Sequence, residues 1–235
     1  RSTSSAASDV YKRQGDRRAE GTYIGSLGTL YDGLGQPEIA IELYTKSIEI
    51  AIEIGDKRSE SVHLSNIACV NRMLGKYEAA IATFEKAIEI STEIGDKGTK
   101  AAHFGGLAIV YIMLGEYHRA LSLYTDSLSI YVALGKRKDE ALAIGNIGYI
   151  YQRLEQYELA IVNYEQAIQI SRDIGYSRGE GSNLGNLGVL YVNMEQWDKA
   201  ERTLVAAIDV CRGTFPLATG SFLGPLAGLY AQQLK

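Results

Sequence analysis

From Tyr77 to Ile94 the apolar residues Tyr77, Ala80, Ile81, Phe84, Ala87, Ile88 and Ile94 fall on one stripe at helical spacing. Glu78, Glu85, Lys86, Glu89 and Glu93 take the other faces. This is the pattern of an amphipathic helix. The segment before it has its own stripe through Leu64, Ile67, Ala68 and Leu74, and Gly75 stands between the two. Glycine enters the left-handed conformation without steric cost and so stops a helix. The reading is a helix A, a tight turn and a helix B, each helix of about 18 residues and roughly 27 Å.

The same arrangement returns along the chain. Gly15-Asp16, Gly55-Asp56, Gly95-Asp96, Gly135-Lys136 and Gly175-Tyr176 are spaced at a constant 40 residues. Repeats of this length mark arrays of one supersecondary unit. Five blocks follow: 15–54, 55–94, 95–134, 135–174 and 175–214. A sixth, 215–235, keeps Leu223, Leu226, Ala227 and Tyr230 in register, shifted by one residue, and holds a helix A without its helix B. Gly55, Gly95, Gly135 and Gly175 end helix B, and Asp56 or Asp96 can cap the next helix A. A single hairpin of this kind carries apolar residues on more than one face, so neighbours must cover each other in a one-dimensional stack. The expected fold is all-α.

Composition narrows the function classes. The chain has 235 residues, 46% hydrophobic and 22% charged, with 3 prolines against 25 glycines. That suits long helices punctuated by glycine. A net charge of −4 offers no basic excess for nucleic acid, and the apolar runs are too short to span a bilayer. Cys69 and Cys211 form no framework or metal spacing, and they read as buried thiols of a reducing, cytoplasmic compartment. His63 and His103 occupy equivalent positions on successive A helices, but a metal site needs three or four converging ligands. No matching His or Cys follows in the next blocks. There is no Ser/His/Asp set, phosphate-cradling loop or HExxH helix. The pairs Glu49 with Glu53 and Glu89 with Glu93 recur by repeat symmetry and read as a solvated face. No enzyme activity and no cofactor are expected.

Residues 4–14, SSAASDVYKRQ, resemble the in-frame translation of a sequencing-library transposon adapter, whose end reads GAT GTG TAT AAG AGA CAG over Asp9 to Gln14. Residues 1–14 are therefore set aside as a non-native tail. The expectation is a fragment of an environmental bacterial gene, cut at both ends.

The block residues carry a family resemblance. Leu184, Leu187, Gly188, Tyr191, Trp197, Ala200, Leu204 and Ala207 resemble the signature of the tetratricopeptide repeat family. So do Ile144, Ile147, Gly148, Tyr151, Tyr157, Ala160, Tyr164 and Ala167. The third block supplies Phe104, Leu107, Ala108, Tyr111, Tyr117, Ala120 and Tyr124, with Ser127 in the last place. The opening GD-x-R-x-E, the NLG-x-x-Y run and the long period resemble the subclass of Pins/LGN-type scaffolds and bacterial multi-domain arrays. The resemblance implies a right-handed superhelical solenoid of antiparallel hairpins, with small residues at Gly28, Ala68, Ala108, Gly148 and Gly188 admitting helix B close to helix A. Departures are Asn71 for the signature Tyr, Pro37 at the position of Tyr77, and Glu155 and Glu195 for the turn glycine. If the left-handed geometry persists, each Glu costs roughly 1 kcal/mol.

The resemblance also implies a concave surface lined by A helices. The position before the signature Leu holds Ser26, Asn66, Gly106, Asn146, Asn186 and Pro225. In peptide-binding members an Asn here bonds the ligand backbone, as its amide both donates and accepts. The alternatives are a bond to neighbouring backbone or simple hydration. Gly25, Ser65, Gly105, Gly145 and Gly185 stand alongside, with packing between A helices as the favoured reason and room for a ligand backbone as the alternative. Arg72, Gln152, Arg153 and Asn193 lie one turn further, and an Arg can fork onto a carboxylate. The chaperone-type carboxylate clamp is absent, because Gly25 or Ser65 stands where it needs Lys and Thr29 or Cys69 where it needs Asn. The expected function is a scaffold holding a partner's peptide with Asn66, Asn146, Asn186, Arg72, Arg153 and Asn193. The alternatives are a regulatory segment of a larger bacterial signalling protein (a kinase, cyclase, caspase-like protease or transcription activator) and a small-molecule sensor. Uncovered ends of such a stack could also self-associate.

Overall fold

The structure, a computed structural model, describes residues 3–212 and 223–228, with side chains from Asp16 onward. The adapter-like stretch 1–14 and most of the sixth block thus lie outside the described side chains. Ten helices run in chain order: α1 (Thr3–Gly33), α2 (Pro37–Glu53), α3 (Lys57–Met73), α4 (Tyr77–Glu93), α5 (Lys97–Met113), α6 (Tyr117–Ala133), α7 (Arg137–Arg153), α8 (Tyr157–Asp173), α9 (Ser177–Asn193) and α10 (Trp197–Arg212). A short α11 covers 223–228. No strand occurs among the described residues.

The turns explain the period. At Gly35, Gly55, Gly75, Gly95, Gly115, Gly135 and Gly175 the backbone is left-handed, with φ between 64° and 77°. Each closes the same motif: at Gly75 its N–H donates to the Arg72 carbonyl at 3.1 Å, and the Lys76 N–H donates to Asn71 at 2.9 Å. These bonds satisfy carbonyls that the ending helix leaves open. Glu155 and Glu195 adopt the same conformation at φ 59° and 57°, the Gln156 N–H donating to Tyr151 at 2.9 Å. A Cβ is unfavourable there. Glu155→Gly and Glu195→Gly are each expected to raise stability by about 1 kcal/mol, read as a higher urea midpoint at unchanged slope.

Gly15 behaves differently from the block spacing. α1 runs without a break through Gly15 and Asp16, and Gly15 is not among the left-handed glycines. Without that turn Asp16 caps nothing, whereas Asp56 accepts from the Ser59 N–H at 3.1 Å and Asp96 from the Thr99 N–H at 3.0 Å. Each capping carboxylate also receives a guanidinium from the helix A before it, Arg18 to Asp56 and Arg58 to Asp96, both at 3.2 Å. One carboxylate thus ends a turn and sets the register between successive A helices. At the next helix start, Pro37 opens α2, where its missing N–H costs nothing.

The chain divides into two compact units, Arg1–Gly115 and Glu116–Lys235. In the first, α1 pairs with α2 and α3 with α4, α2 contacts α3, and α5 packs on α4 and α3. Tyr44 and Ala40 of α2 form a core with Val70 of α3, and Ile67 joins them from the edge. Ile48, Leu64, Ala87 and Ile90 form the next. In the second unit α6 packs on α7, α7 pairs with α8 and α9 with α10, and α8 contacts α9. Its main core gathers Tyr164, Leu187, Leu190, Leu204 and Ile208, with Leu226 of α11.

Small residues let these helices close. A Cβ on Gly28 would lie 2.8 Å from the Tyr44 ring, one on Gly148 3.0 Å from the Tyr164 ring and one on Gly188 2.7 Å from Leu204. The large side chain of helix B, Tyr44, Tyr164 or Leu204, therefore occupies the volume that helix A gives up.

Candidate functional site

In the first unit α1 and α3 lie side by side through a glycine. A Cβ on Gly25 would stand 2.2 Å from His63 Cε1, so the imidazole of α3 seats against α1 because that atom is missing. The ring also stacks on Tyr44, centroids 5.9 Å apart at 25°. Beside this contact an open cleft of about 330 Å³ is lined by Thr22, Ser26 and Thr29 of α1 and by Arg58, His63 and Asn66 of α3.

The chemistry of the cleft follows from where its protons go. Thr22 donates its hydroxyl to the Arg18 carbonyl at 2.9 Å, and Ser26 to the Thr22 carbonyl at 2.8 Å. Their remaining capacity is as acceptors. Asn66 is partly buried, and among the described residues its amide makes no hydrogen bond. His63 Nδ1 is buried without a partner among the described residues. Burial holds the His63 pKa below its ordinary value, with Asp56 opposing, so the imidazole is neutral at pH 7. Arg58, paired with Asp96, closes one end. The cleft can accept N–H or O–H donors and offers one amide that works in both directions.

The other residues expected at the site fall in different surroundings. Arg72 is partly buried, its Nη1 3.9 Å from Met113 Sδ, and it does not line the cleft. Asn146 is partly buried on α7, and Asn186 is exposed on α9. α7 and α9 also meet through a glycine: a Cβ on Gly145 would lie 2.3 Å from Asn183 Oδ1. Asn183 is 6% exposed and donates to the Gly179 carbonyl at 2.9 Å, which makes it a packing residue. Arg153 is engaged: its Nε donates to the Tyr117 hydroxyl at 3.0 Å and its guanidinium lies 5.6 Å from that ring's centroid. Gln152 accepts the Tyr164 hydroxyl at 2.9 Å, so it serves the core. Asn193 is exposed at the end of α9.

The hydroxyl row Thr22, Ser26, Thr29 was only partly legible in the sequence. Its signal is the spacing of four and three residues along one face, which a search for charged or metal-binding side chains passes over. Among the described residues no three His, Cys, Asp or Glu gather to hold a metal. No described helix is long and apolar enough to cross a membrane.

Helix pairs of fixed length, closed by left-handed glycines or by Glu155 and Glu195, define a helical-repeat protein. The tetratricopeptide repeat sequence profile matches residues 59–131 and 139–213, and a second profile of the same description matches 21–51. The chain belongs to the tetratricopeptide repeat family. This repeat fold is generally a scaffold without catalytic groups of its own. No curated protein sequence matches the chain.

Among solved structures the chain is similar to BtubC (BKLC) from P. vanneervenii, at 22% identity over 89% of this chain and 87% of that one, with a TM-score of 0.77. It is also similar to a signal transduction ATPase with numerous domains and a tetratricopeptide repeat sensor from Pyrococcus horikoshii. There the identity is 20%, the coverage 92% of this chain and 34% of that one, and the TM-score 0.75. A third is a Rap protein complexed with competence and sporulation factor, at 16% identity, 91% and 63% coverage and a TM-score of 0.76. At these identities the likeness establishes the fold. The chain spans about a third of the ATPase and under two thirds of the Rap protein.

Proposed function

We propose that the A helices hold an extended peptide segment of a partner protein. The observation that carries this is the cleft between α1 and α3, where Asn66 presents an unpaired amide opposite hydroxyl acceptors. A peptide backbone supplies an N–H and a C=O at each residue, which matches a wall of acceptors facing an amide of both kinds. Asn146 and Asn186 occupy the same repeat position in the second unit. Arg72, Arg153 and Asn193 are assigned to the surroundings of the bound segment, with Arg153 leaving Tyr117 to do so. The Rap protein, solved complexed with competence and sporulation factor, supports a fold that holds a bound partner. No nucleic acid or membrane enters this reading. The free thiols Cys69 and Cys211 suit a cytoplasmic location.

The test begins by selecting binders from a displayed library of random peptides on the wild-type chain. Asn66→Ala, Asn146→Ala and Asn186→Ala are then combined. Each lost amide contact is expected to weaken binding about threefold to tenfold, with helicity by circular dichroism unchanged. Equal binding by the triple variant would sink the groove reading.

A second reading is a sensor segment of a larger bacterial signalling protein. It is favoured by the likeness to the ATPase that carries a tetratricopeptide repeat sensor, only 34% of which this chain spans. Recovery of the complete reading frame decides it: an attached kinase, cyclase, protease or DNA-binding region supports the reading, and its absence removes it.

A further inference from the structure

Arg72 is a cation set among sulfur atoms. The other arginines of the first unit face carboxylates: Arg17 meets Glu20 and Glu53, Arg18 meets Asp56, and Arg58 meets Asp96. Arg72 forms no ion pair among the described residues. Its Nη1 lies 3.9 Å from Met113 Sδ, and its buried Nε has no hydrogen-bond partner among them. It also stands beside the Cys69 thiol, whose pKa burial raises and Arg72 opposes. A thioether is a weak acceptor, so this partly buried guanidinium is under-satisfied. Met113, at the end of the adjacent α5, is 48% exposed, and its side chain is within reach of a dissolved oxidant.

Hydrogen peroxide converts such a thioether into a sulfoxide. A sulfur lone pair bonds one peroxide oxygen, the O–O bond breaks, and the other oxygen leaves as water with both protons. The sulfur is oxidised by two electrons and the peroxide reduced by two. The new oxygen carries partial negative charge and accepts strongly. On Met113 it falls within reach of Arg72 Nη1, and the bond it makes there is charge-assisted. We propose that Met113 is an oxidation site whose sulfoxide is captured by Arg72, tying the C-terminal end of α5 to that of α3. Met73 supplies the contrast. It is 56% exposed, yet the residue forty positions before Arg72 is Asp32, a carboxylate with no proton to donate to a sulfoxide. Arg72 is one of the residues assigned to the surroundings of a bound peptide, but its capture of the sulfoxide does not depend on that reading.

The chain contains 3 methionines, so Met73→Leu with Met194→Leu leaves Met113 alone to oxidise. This protein is treated with hydrogen peroxide, the gain of one oxygen is confirmed by intact mass, and urea unfolding is measured before and after. The same pair of measurements is made with Arg72→Leu added. The ratio of the oxidised to the reduced unfolding constant is expected to be about tenfold smaller with Arg72 than without it. Arg72→Lys, which keeps the charge and loses the fork, should recover part of that difference. Should Arg72→Leu lose helicity, the nuclear magnetic resonance signal of the Arg72 Nε–H in the parent protein decides, and it must move on oxidation. An equal effect of oxidation with and without Arg72 overturns the inference. So does an unmoved Arg72 signal, and so does a wild-type chain in which peroxide modifies Met73 and leaves Met113 intact.

Discussion

Gly106→Ala is expected to destabilise the protein while Phe84 is present and to stabilise it once Phe84 has been replaced by alanine. Phe84 is fully buried on α4. A Cβ on Gly106 of α5 would lie 2.5 Å from its Cε1 and Cζ atoms. The ring is fully buried, so overpacking it is expected to cost about 1–3 kcal/mol. The same substitution in a helix otherwise gains about 1 kcal/mol of helix propensity. With the ring intact the clash wins. In a Phe84→Ala background the clash is gone, the propensity gain remains, and the new methyl fills part of the cavity. Phe84→Ala alone should cost about 3–5 kcal/mol, the largest single-site loss expected in the first unit. Urea unfolding of the four species closes a double-mutant cycle, and the expected coupling is about 2 kcal/mol. Additive effects of the two substitutions would mean that helix B and the following helix A do not meet as described.

The second large effect is a loss of stability in mild acid. His103 is 3% exposed, and neither ring nitrogen has a partner among the described residues. Burial lowers its pKa from 6.5 to about 4, with Asp96 at the head of α5 opposing the shift. The native state therefore binds fewer protons than the unfolded chain between those values. Stability present above about pH 6.5 is lost as pH falls towards 4, by roughly 3 kcal/mol in all. His63, one repeat earlier, shifts in the same direction through burial, with Asp56 opposing, and adds to the slope. His103→Leu removes the titrating group. Denaturation midpoints measured between pH 4 and 7 should fall less steeply in that variant than in the wild type. Parallel curves would show that His103 does not carry the effect.

Much of the local architecture was legible in advance because it rests on short-range physics. Tyr77 to Ile94 shows its helix through a 3.6-residue stripe, and Ala80, Phe84 and Ala87 of that stripe are buried. Gly75 and its relatives show the turns because only glycine takes a left-handed backbone freely. The exceptions were also readable: Glu155 and Glu195 stand in the glycine register and accept its conformation. Gly15 shares the 40-residue spacing but closes no turn. A glycine stops a helix only where the chain closes the turn behind it, and α1 continues through that position.

The site was less legible. Asn66 and Arg72 lie on one helix, yet Asn66 lines the cleft and Arg72 reaches Met113. Arg153, a free cation by sequence, is held by Tyr117, which is 36 residues away. Sequence periodicity assigns a residue to a face of its own helix. It does not say which neighbour that face meets.

By itself, then, the sequence determined the repeat length, the helix boundaries after Gly33 and the buried stripes, because each depends on contacts within one turn or one hairpin. The tertiary structure alone decided that Gly25 gives its space to His63, that Arg58 is committed to Asp96, and that Thr22, Ser26 and Asn66 share one cleft. It also decided that Tyr23, Leu27 and Leu30 stand exposed where their equivalents in α5 and α9 are buried. Those outcomes join residues tens of positions apart, and they depend on how closely two A helices approach, a distance set by missing Cβ atoms and by packing rather than by any local preference.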